Sequence, residues 1–454
     1  MAGISLAPAD HAMAATPTWE RIDLNYNVRS WQIDRGRQNE MSRTGTGTAT
    51  VELVDKTGDF DPTNTTGHFF GRLDGGQPMG PLVQAKIELQ NPVDSTWSTL
   101  FRGFISRIQW SPYQTEQFAN VTLELVDAMA VLAAAEMQDN AYTLWGDDFV
   151  DGNIVFNEDT NLDAVQTRIE KVLSQMGWPL TLTSIFTGNV SLQKTVYAPR
   201  STVLQVITDA CDAEWPDIAN VYVSGPVHTV DGTNDIAPGS VVFHGRFARF
   251  NPLDAHYGIK RFALGDDAAN AADPTNIVRV SPPLDAFIDD TLIYTSALAT
   301  PQNINDADLN GQYVQDAAGV ATKGLRTWSA ENLATLGGSG PTTALVETKK
   351  FASYYINNNF KFPQVRVGQL TVKTRRPGSL SGPKTWALFC NVDISDIVNL
   401  KTTHKGGGGF GSGGANSDFF VEGIHYTARP GAGAYPIVEL TLDVSPSGYY
   451  AVSP

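Results

Sequence analysis

The sequence predicts a mainly β, α+β protein in which two barrel-like antiparallel β domains accompany inserted α/β segments. Three observations predict it. Apolar and polar residues alternate with a period of two through much of the N-terminal and C-terminal parts, the pattern of half-buried strands. Gly, Pro, Asn and Ser separate those runs, as turns between antiparallel strands require. Between the two β regions the spacing of apolar residues changes to that of helices. The expected units are a barrel-like domain over residues 1–136, an inserted α/β and loop-rich region over 137–340, and a helix plus a second barrel-like domain over 341–454.

The elements follow in order. From Trp19 to Asp127 the chain reads mostly as strand. Thr48, Thr50 and Glu52 alternate with Ala49, Val51 and Leu53, and Val83, Ala85, Ile87 and Leu89 alternate with Gln84, Lys86 and Glu88. Phe104, Ile108 and Trp110 mark the next run, and Val121, Leu123 and Leu125 the one after it. Asp127 reads as the N-cap of a short helix through Ala135. Leu162, Val165, Ile169, Val172, Leu173 and Met176 recur at helical spacing, with Gly177 and Pro179 as stop signals. A second helix is expected from a Ser201 N-cap through Val203, Ile207, Ala210 and Cys211. Both helices read as amphipathic and packed on a sheet.

Strand is expected over Val221–Val223 and Val241–Phe247, and a loop-rich stretch over Asn251–Asp316. A helix over Thr342–Tyr355, strands over Val365–Val372 and Trp386–Leu400, and a closing hairpin of Phe419–Thr427 and Ile437–Val444 complete the reading. Lys405–Asn416, KGGGGFGSGGAN, is a flexible loop by composition.

Composition limits the partners. Of 454 residues 42% are hydrophobic, enough for several packed cores, while only 18% are charged. The surface must therefore rely on Thr, Asn, Ser and Gly, which suits a strand-rich structural protein. A net charge of −16 argues against stably bound nucleic acid, because phosphate contacts need clustered Lys and Arg. The densest basic run, Lys373–Arg376, reads as a solvated strand end. Cys211 and Cys390 have no metal-ligand spacing and read as buried free thiols, as expected of folding in a reducing cytoplasm. The opening MAGISLAPADHAMAATP lacks the positive segment of a secretory signal. The apolar run Ala128–Met137 is too short to span a bilayer, so no stable membrane insertion is expected.

No catalytic constellation emerges, and no enzyme activity or cofactor is expected. Gly409–Gly414 has G-x-G-x-x-G spacing, but a strand follows where a dinucleotide site needs a helix N-terminus. Asp306, Asp308 and Asn310 followed by Gly311 match half of a calcium loop. The twelfth position, however, is Ala317 where a bidentate Glu belongs, so an Asx-rich turn is preferred. The seven His are scattered. Asp147 with Asp148 and Asp289 with Asp290 read as loop charges, since a glycosidase needs carboxylates facing across a cleft.

The most informative stretch is RGRQNEMSRTGTGTATVELVDKTGDFDPTN, Arg35 to Asn64. Arg35, Gly36, Arg37 and Glu40 precede a strand that Gly58, Phe60, Asp61 and Pro62 close with a turn. We read Arg35, Arg37 and Glu40 as an ion pair, within or between subunits, that fixes the loop. This pattern resembles the opening of minor tail proteins from siphophages of actinobacteria, within the tail-tip (baseplate) hub family. Leu100–Ile105 with Val121–Asp127 is similar to the end of that family's first barrel, and Ser201–Ile207 to its helix before a hairpin. Gln315–Ala321 with Gly324 and Arg326 resembles its second motif, with Lys323 where the family has Tyr. Asp393–Ile397 and Phe420–Ile424 look like its final strands.

The resemblance implies a structural virion protein at the tail tip, made in the host cytoplasm. It would form a homo-oligomer, a trimer whose paired barrels adapt a sixfold tube to a threefold tip. Its partners would be the distal tail protein, the tape measure and tip fibre or spike proteins, with DNA only in transient passage and part of the −16 charge lining the lumen. A hexameric distal tail ring is the alternative, and a carbohydrate- or receptor-binding tip protein comes third.

Overall fold

In the computed structural model, the described residues are 2–447 apart from 9, 11–12, 23–26, 62, 70–81, 113–117, 138–147, 151–152, 157–162, 231–233, 253, 283, 285, 289–292, 303–308, 310, 337–340, 358–364, 403–415 and 430–435. The mainly β, α+β class holds. Thirteen strands form one sheet: β1 (Ala2–Ala7), β2 (Glu20–Arg21), β3 (Asn27–Gly36), β4 (Thr48–Asp55), β5 (Gln84–Gln90), β6 (Trp97–Pro112), β7 (Ala119–Val126), β8 (Arg261–Gly265), β9 (Val278–Arg279), β10 (Gln369–Lys373), β11 (Ile397–Lys401), β12 (Asn416–Arg429) and β13 (Ile437–Pro446). Their order is β9-β8-β11-β12-β3-β4-β7-β6-β5-β1-β2, with β13 also on β12 and β10 on β13.

The strands assigned from sequence to two barrels are therefore continuous. Among the described residues no barrel closes. N-terminal β3 and C-terminal β12 pair antiparallel from Gly36↔Gly423 to Trp31↔Ala428. Each half would otherwise present a long unpaired edge, and each edge satisfies the other. Two pairs in the sheet, β8 with β9 and β8 with β11, are parallel. Thus the stretch expected as loop gives this sheet β8 and β9, and it also holds a short helix at Asp267–Ala272 and strands at Ala286–Ile288, Ser296–Pro301 and Tyr313–Gln315 in smaller sheets.

Alternation sets which face is buried. Val372, Leu440, Tyr426, Ile33, Ala49 and Leu125 stand side by side across six strands and are all buried. At roughly 25 cal/mol per Å² of apolar surface, such rows supply most of the drive to form the sheet. A second core is built by α1 (Ala128–Ala134), α2 (Val165–Met176) and α3 (Val203–Glu214), together with Val221, Val223, Val241 and Phe243. A third gathers Trp215, Trp328, Phe351 and Tyr355. In it Trp328 and Tyr355 stack at 3.8 Å.

Helix ends follow their local signals. Asp127 accepts from the Met129 N–H and caps α1, and Gly177 ends α2 in the left-handed region at φ 80°. Helix α3 is capped by Thr202, which accepts from the Gln205 N–H, one residue after the expected Ser201. Two expected strands are partly helix. Arg246–Phe250 turns helical after a strand ending at His244, and Gly382–Asn391 is a helix before β11. In the second case Trp386, Leu388, Phe389 and Cys390 are all buried. Continuous burial reads the same for a short helix and a core strand. The expected late helix and closing hairpin are present as a helix over Pro341–Asn357 and a long β12–β13 pair. Lys405–Ala415, Pro62, the calcium candidates Asp306, Asp308 and Asn310, and the acids Asp147, Asp289 and Asp290 lie outside the described residues. Both cysteines are free and buried.

Gly36 sits at φ +94°, and a Cβ there would lie 2.2 Å from the Glu422 carbonyl oxygen. Both the backbone angle and the contact exclude a side chain. Gly36→Ala is therefore expected to lower unfolding free energy by about 3 kcal/mol, read as a fall in denaturant midpoint.

Candidate functional site: a buried ionic core and a polar sheet face

At the β3–β12 seam the register of β12 against β13 slips by one residue between Val421 and Gly423. Glu422 is the extra residue of this bulge, and a bulge re-aims its side chain. The Glu422 carbonyl accepts from the Arg37 N–H at 2.8 Å. Its carboxylate, fully buried, takes the Arg37 Nε at 2.7 Å and both Arg249 terminal nitrogens at 2.7 and 3.0 Å. Ser445 Oγ donates at 2.5 Å. The Arg249 guanidinium also lies 4.4 Å above the Phe420 ring. Burial works to raise the Glu422 carboxyl. The Arg249 and Arg37 charges overcome it and hold the group at about 2.

The other residues singled out by sequence sit around this centre. Arg35 donates to Asp393 Oδ1 at 2.7 Å and to the Val223 carbonyl at 2.8 Å. Asp393 Oδ2 also accepts from the Gly225 N–H at 2.9 Å and contacts His228 Nε2 at 3.2 Å. Against the burial that would raise it, Arg35 and His228 hold the Asp393 carboxyl well below the usual range. Glu40 takes both terminal nitrogens of Arg366, at 2.6 and 2.9 Å. Arg37 further donates to the carbonyls of Ser42 and Asp217, both at 3.0 Å. Arg35, Arg37 and Glu40 thus meet partners more than three hundred residues away, and the middle of the chain contributes Val223, Gly225, His228 and Arg249. Neighbouring His244 is buried with neither ring nitrogen hydrogen-bonded among the described residues. Burial, with Arg249 and His228 nearby, drops it to about 3 and keeps it neutral.

The turn after β4 is a separate structure. Buried Asp55 accepts the N–H groups of Thr57, Gly58, Asp59 and Phe60 at 2.9–3.3 Å. Gly58 takes φ +74°, Asp61 accepts from the Thr63 N–H at 2.8 Å, and Phe60 packs on Phe69 with ring centres 4.9 Å apart. This carboxylate-organised turn does not join the ionic core.

Sequence reasoning had no role for Glu422, Asp393, Arg249, Arg366 or His228. A signal was present at Glu422, a lone acid in the run Phe419-Phe420-Val421-Glu422-Gly423-Ile424. An acid beside Gly inside a strand marks a bulge.

Chemically, the core offers little to a substrate. Its charged groups are paired with one another, and among the described residues no group of His, Cys, Asp and Glu could hold a metal ion. The other face of the sheet is exposed. Lys373, Glu439, Thr427, Gln32, Thr50, Glu124 and Arg107 form one cross-strand row over β10, β13, β12, β3, β4, β7 and β6. All are at least partly exposed. On this face the acids Asp34, Glu52, Glu124 and Glu439, with largely buried Asp443, stand among the cations Lys373, Arg107, Arg429 and His425, so its charges nearly balance. His425 bridges the seam, its Nδ1 2.8 Å from Asp34 on β3 and its Nε2 2.6 Å from Asp443 on β13. The Asp443 hydrogen bond, then that of Asp34, raises this imidazole to about 9 against burial.

No protein-family model matches the sequence, and no curated protein matches it. Solved structures do. A tail protein from Neisseria meningitidis MC58 aligns with TM-score 0.53 at 12% identity, covering 99% of this chain and 98% of that one. The 43 kDa tail protein of prophage MuSo2 from Shewanella oneidensis aligns with TM-score 0.49 at 10% identity, covering 99% and 100%. The Neisseria likeness shows a common fold across the whole chain.

Two outcomes follow from this geometry. Glu422→Gln leaves two buried guanidiniums facing a neutral amide and is expected to cost about 3–5 kcal/mol of stability, read by denaturant unfolding. The His425 contribution is fully present below the unfolded value of 6.5 and is lost as pH rises through about 9. The melting-temperature difference between wild type and His425→Asn should therefore shrink across that window and stay constant from pH 5 to 6.

Proposed function

We propose that the chain is a non-enzymatic structural component of a virion. In this reading it is a siphophage tail-tip (baseplate) hub that joins the distal tail ring to the tip and walls part of the DNA channel. The observation that carries the reading is the continuous polar sheet face, which runs without a break across N-terminal and C-terminal strands. The whole-chain fold likeness to a protein described as a tail protein supports it.

Such a face suits a surface past which DNA slides. Phosphates bind where Lys and Arg are displayed, and here Arg35, Arg37, Arg249 and Arg366 are withdrawn into the interior against acids. What faces solvent on the central strands is Thr and Gln among carboxylates and cations in near balance, with no cationic cluster to hold a polyanion. A stiff wall follows from the seam, where ion pairs lock three regions of the chain together. The assembly is a homo-oligomer, a trimer, whose partners are the distal tail protein, the tape measure and tip fibre or spike proteins. The units 1–136, 137–340 and 341–454 are kept as its working divisions. It locates to the virion tail tip after synthesis in the host cytoplasm, and it needs no cofactor.

Immunogold electron microscopy of intact virions is expected to place label at the distal tail tip only. Virions without label would overturn the reading, and hexamers of the isolated protein in sedimentation would move it to the distal tail ring. The triple variant Gln32→Lys, Thr50→Lys, Thr427→Lys is expected to assemble normally and release DNA more slowly.

A further inference from the structure

A cleft of about 240 Å³ opens between the loop that follows Arg37 and helix α3. One water needs only roughly 10–15 Å³, so the space admits a long side chain. Apolar walls come from Met129, Leu204 and Val221, and polar lining from Arg43, Asp212, Asp217 and Asn220. Arg43 Nη2 pairs with Asp212 Oδ2 at 2.5 Å. The Arg43 side chain is 69% exposed, whereas that of Asp212 is 20% exposed. Arg37, the other cation at the cleft, is committed to Glu422 and to two carbonyls. Asp212 therefore depends on one loosely held guanidinium, whereas Asp217 is served by Arg37, Trp328 and Tyr355. Burial first, with Asp217 and Asp209 adding to it against Arg43, raises Asp212 to about 7.

A second observation comes from Asn220, which is 3% exposed. Its Oδ1 accepts from Thr44 Oγ1 at 2.6 Å, while its Nδ2 has no partner among the described residues. An unmatched buried donor is costly, and an acceptor brought into the cleft would relieve it. Asp217 is held at φ +66°, a backbone state that costs energy in a non-glycine residue and is frequent where ligands are gripped.

We propose that this cleft receives an arginine or lysine side chain of a partner polypeptide, Asp212 taking the cation in place of Arg43 and Asn220 Nδ2 a carbonyl beside it. Arg43 then acts as a placeholder. It covers Asp212 in the free chain and swings out when a better-buried cation arrives. Because Arg43 is mostly in water, its ion pair is weak and readily exchanged. The incoming methylenes lie against Leu204, Met129 and Val221, contacts that Arg43 does not need. The inference concerns a local contact and holds whether or not the chain belongs to a tail.

The test is calorimetric titration of the full chain with N-acetyl-arginine methylamide, with the norleucine analogue as the uncharged control. The arginine compound is expected to bind and the control not to. Asp212→Asn should weaken binding at least tenfold, and Arg43→Ala, which removes the competitor, should tighten it by about fivefold. A purely structural Arg43–Asp212 pair predicts no such gain. Absence of binding by wild type, unchanged affinity in Asp212→Asn, or no gain in Arg43→Ala would each overturn the proposal. Should Asp212→Asn fail to fold, Thr208→Phe, which fills the cleft from α3, must abolish binding instead.

Discussion

A single buried carboxylate with two guanidiniums on it organises this molecule. Glu422 cannot be neutralised cheaply by protonation, because Arg37 and Arg249 stabilise its charge. It cannot reach solvent either, because it is fully buried. The only low-energy arrangement brings residues from the beginning, middle and end of the chain to one point. Once Arg37 is fixed there, Gly36 must pass against the Glu422 carbonyl, and β3 must pair with β12 in the one register that keeps Gly36 opposite Gly423. Sheet continuity, and with it the unbroken exposed face, descends from that register.

Buried ion pairs are a poor general source of stability, since desolvation offsets much of their attraction. Their worth here is better understood as specificity. A slip of one residue along β12 would move every side chain to the other face. It would also strand Arg35, Arg37 and Glu40 without Asp393, Glu422 and Arg366. Three charge pairs reaching across more than three hundred residues therefore penalise wrong registers far more than they favour the right one over an apolar substitute. The bulge at Glu422 serves the same end, turning one acid of an otherwise apolar strand inward where two arginines can use it.

Withdrawing arginines into the interior has a consequence at the surface. With Arg35, Arg37, Arg249 and Arg366 paired internally, the exposed sheet face is left rich in Thr and Gln and without a cationic cluster. The exceptions are local and paired, such as Lys373 with Glu439 and Arg107 with Glu124. A face of this kind gives a polyanion no basic cluster to bind and offers few apolar contacts. The cleft beside α3 is different in kind, a narrow place where a half-buried carboxylate is held only by a mostly exposed guanidinium.

The sequence by itself determined which segments are strands or helices wherever period and punctuation agreed. The alternation of Thr48–Leu53, the Asp127 cap, the Gly177 stop and the closing hairpin are local facts, decided by side-chain alternation and by the backbone groups left free at helix ends. It also marked Arg35, Arg37 and Glu40 as residues that need charged partners. It misplaced Trp386–Asn391, because an apolar run buried on all sides carries no period, and it expected a cap at Ser201 one residue too early. Only the tertiary structure decided who those partners are and that two β regions share one sheet. Pairing between residues 36 and 423, or between 40 and 366, depends on chain closure over hundreds of positions. No local pattern encodes that, because the free energy selecting it exists only once both segments are buried together.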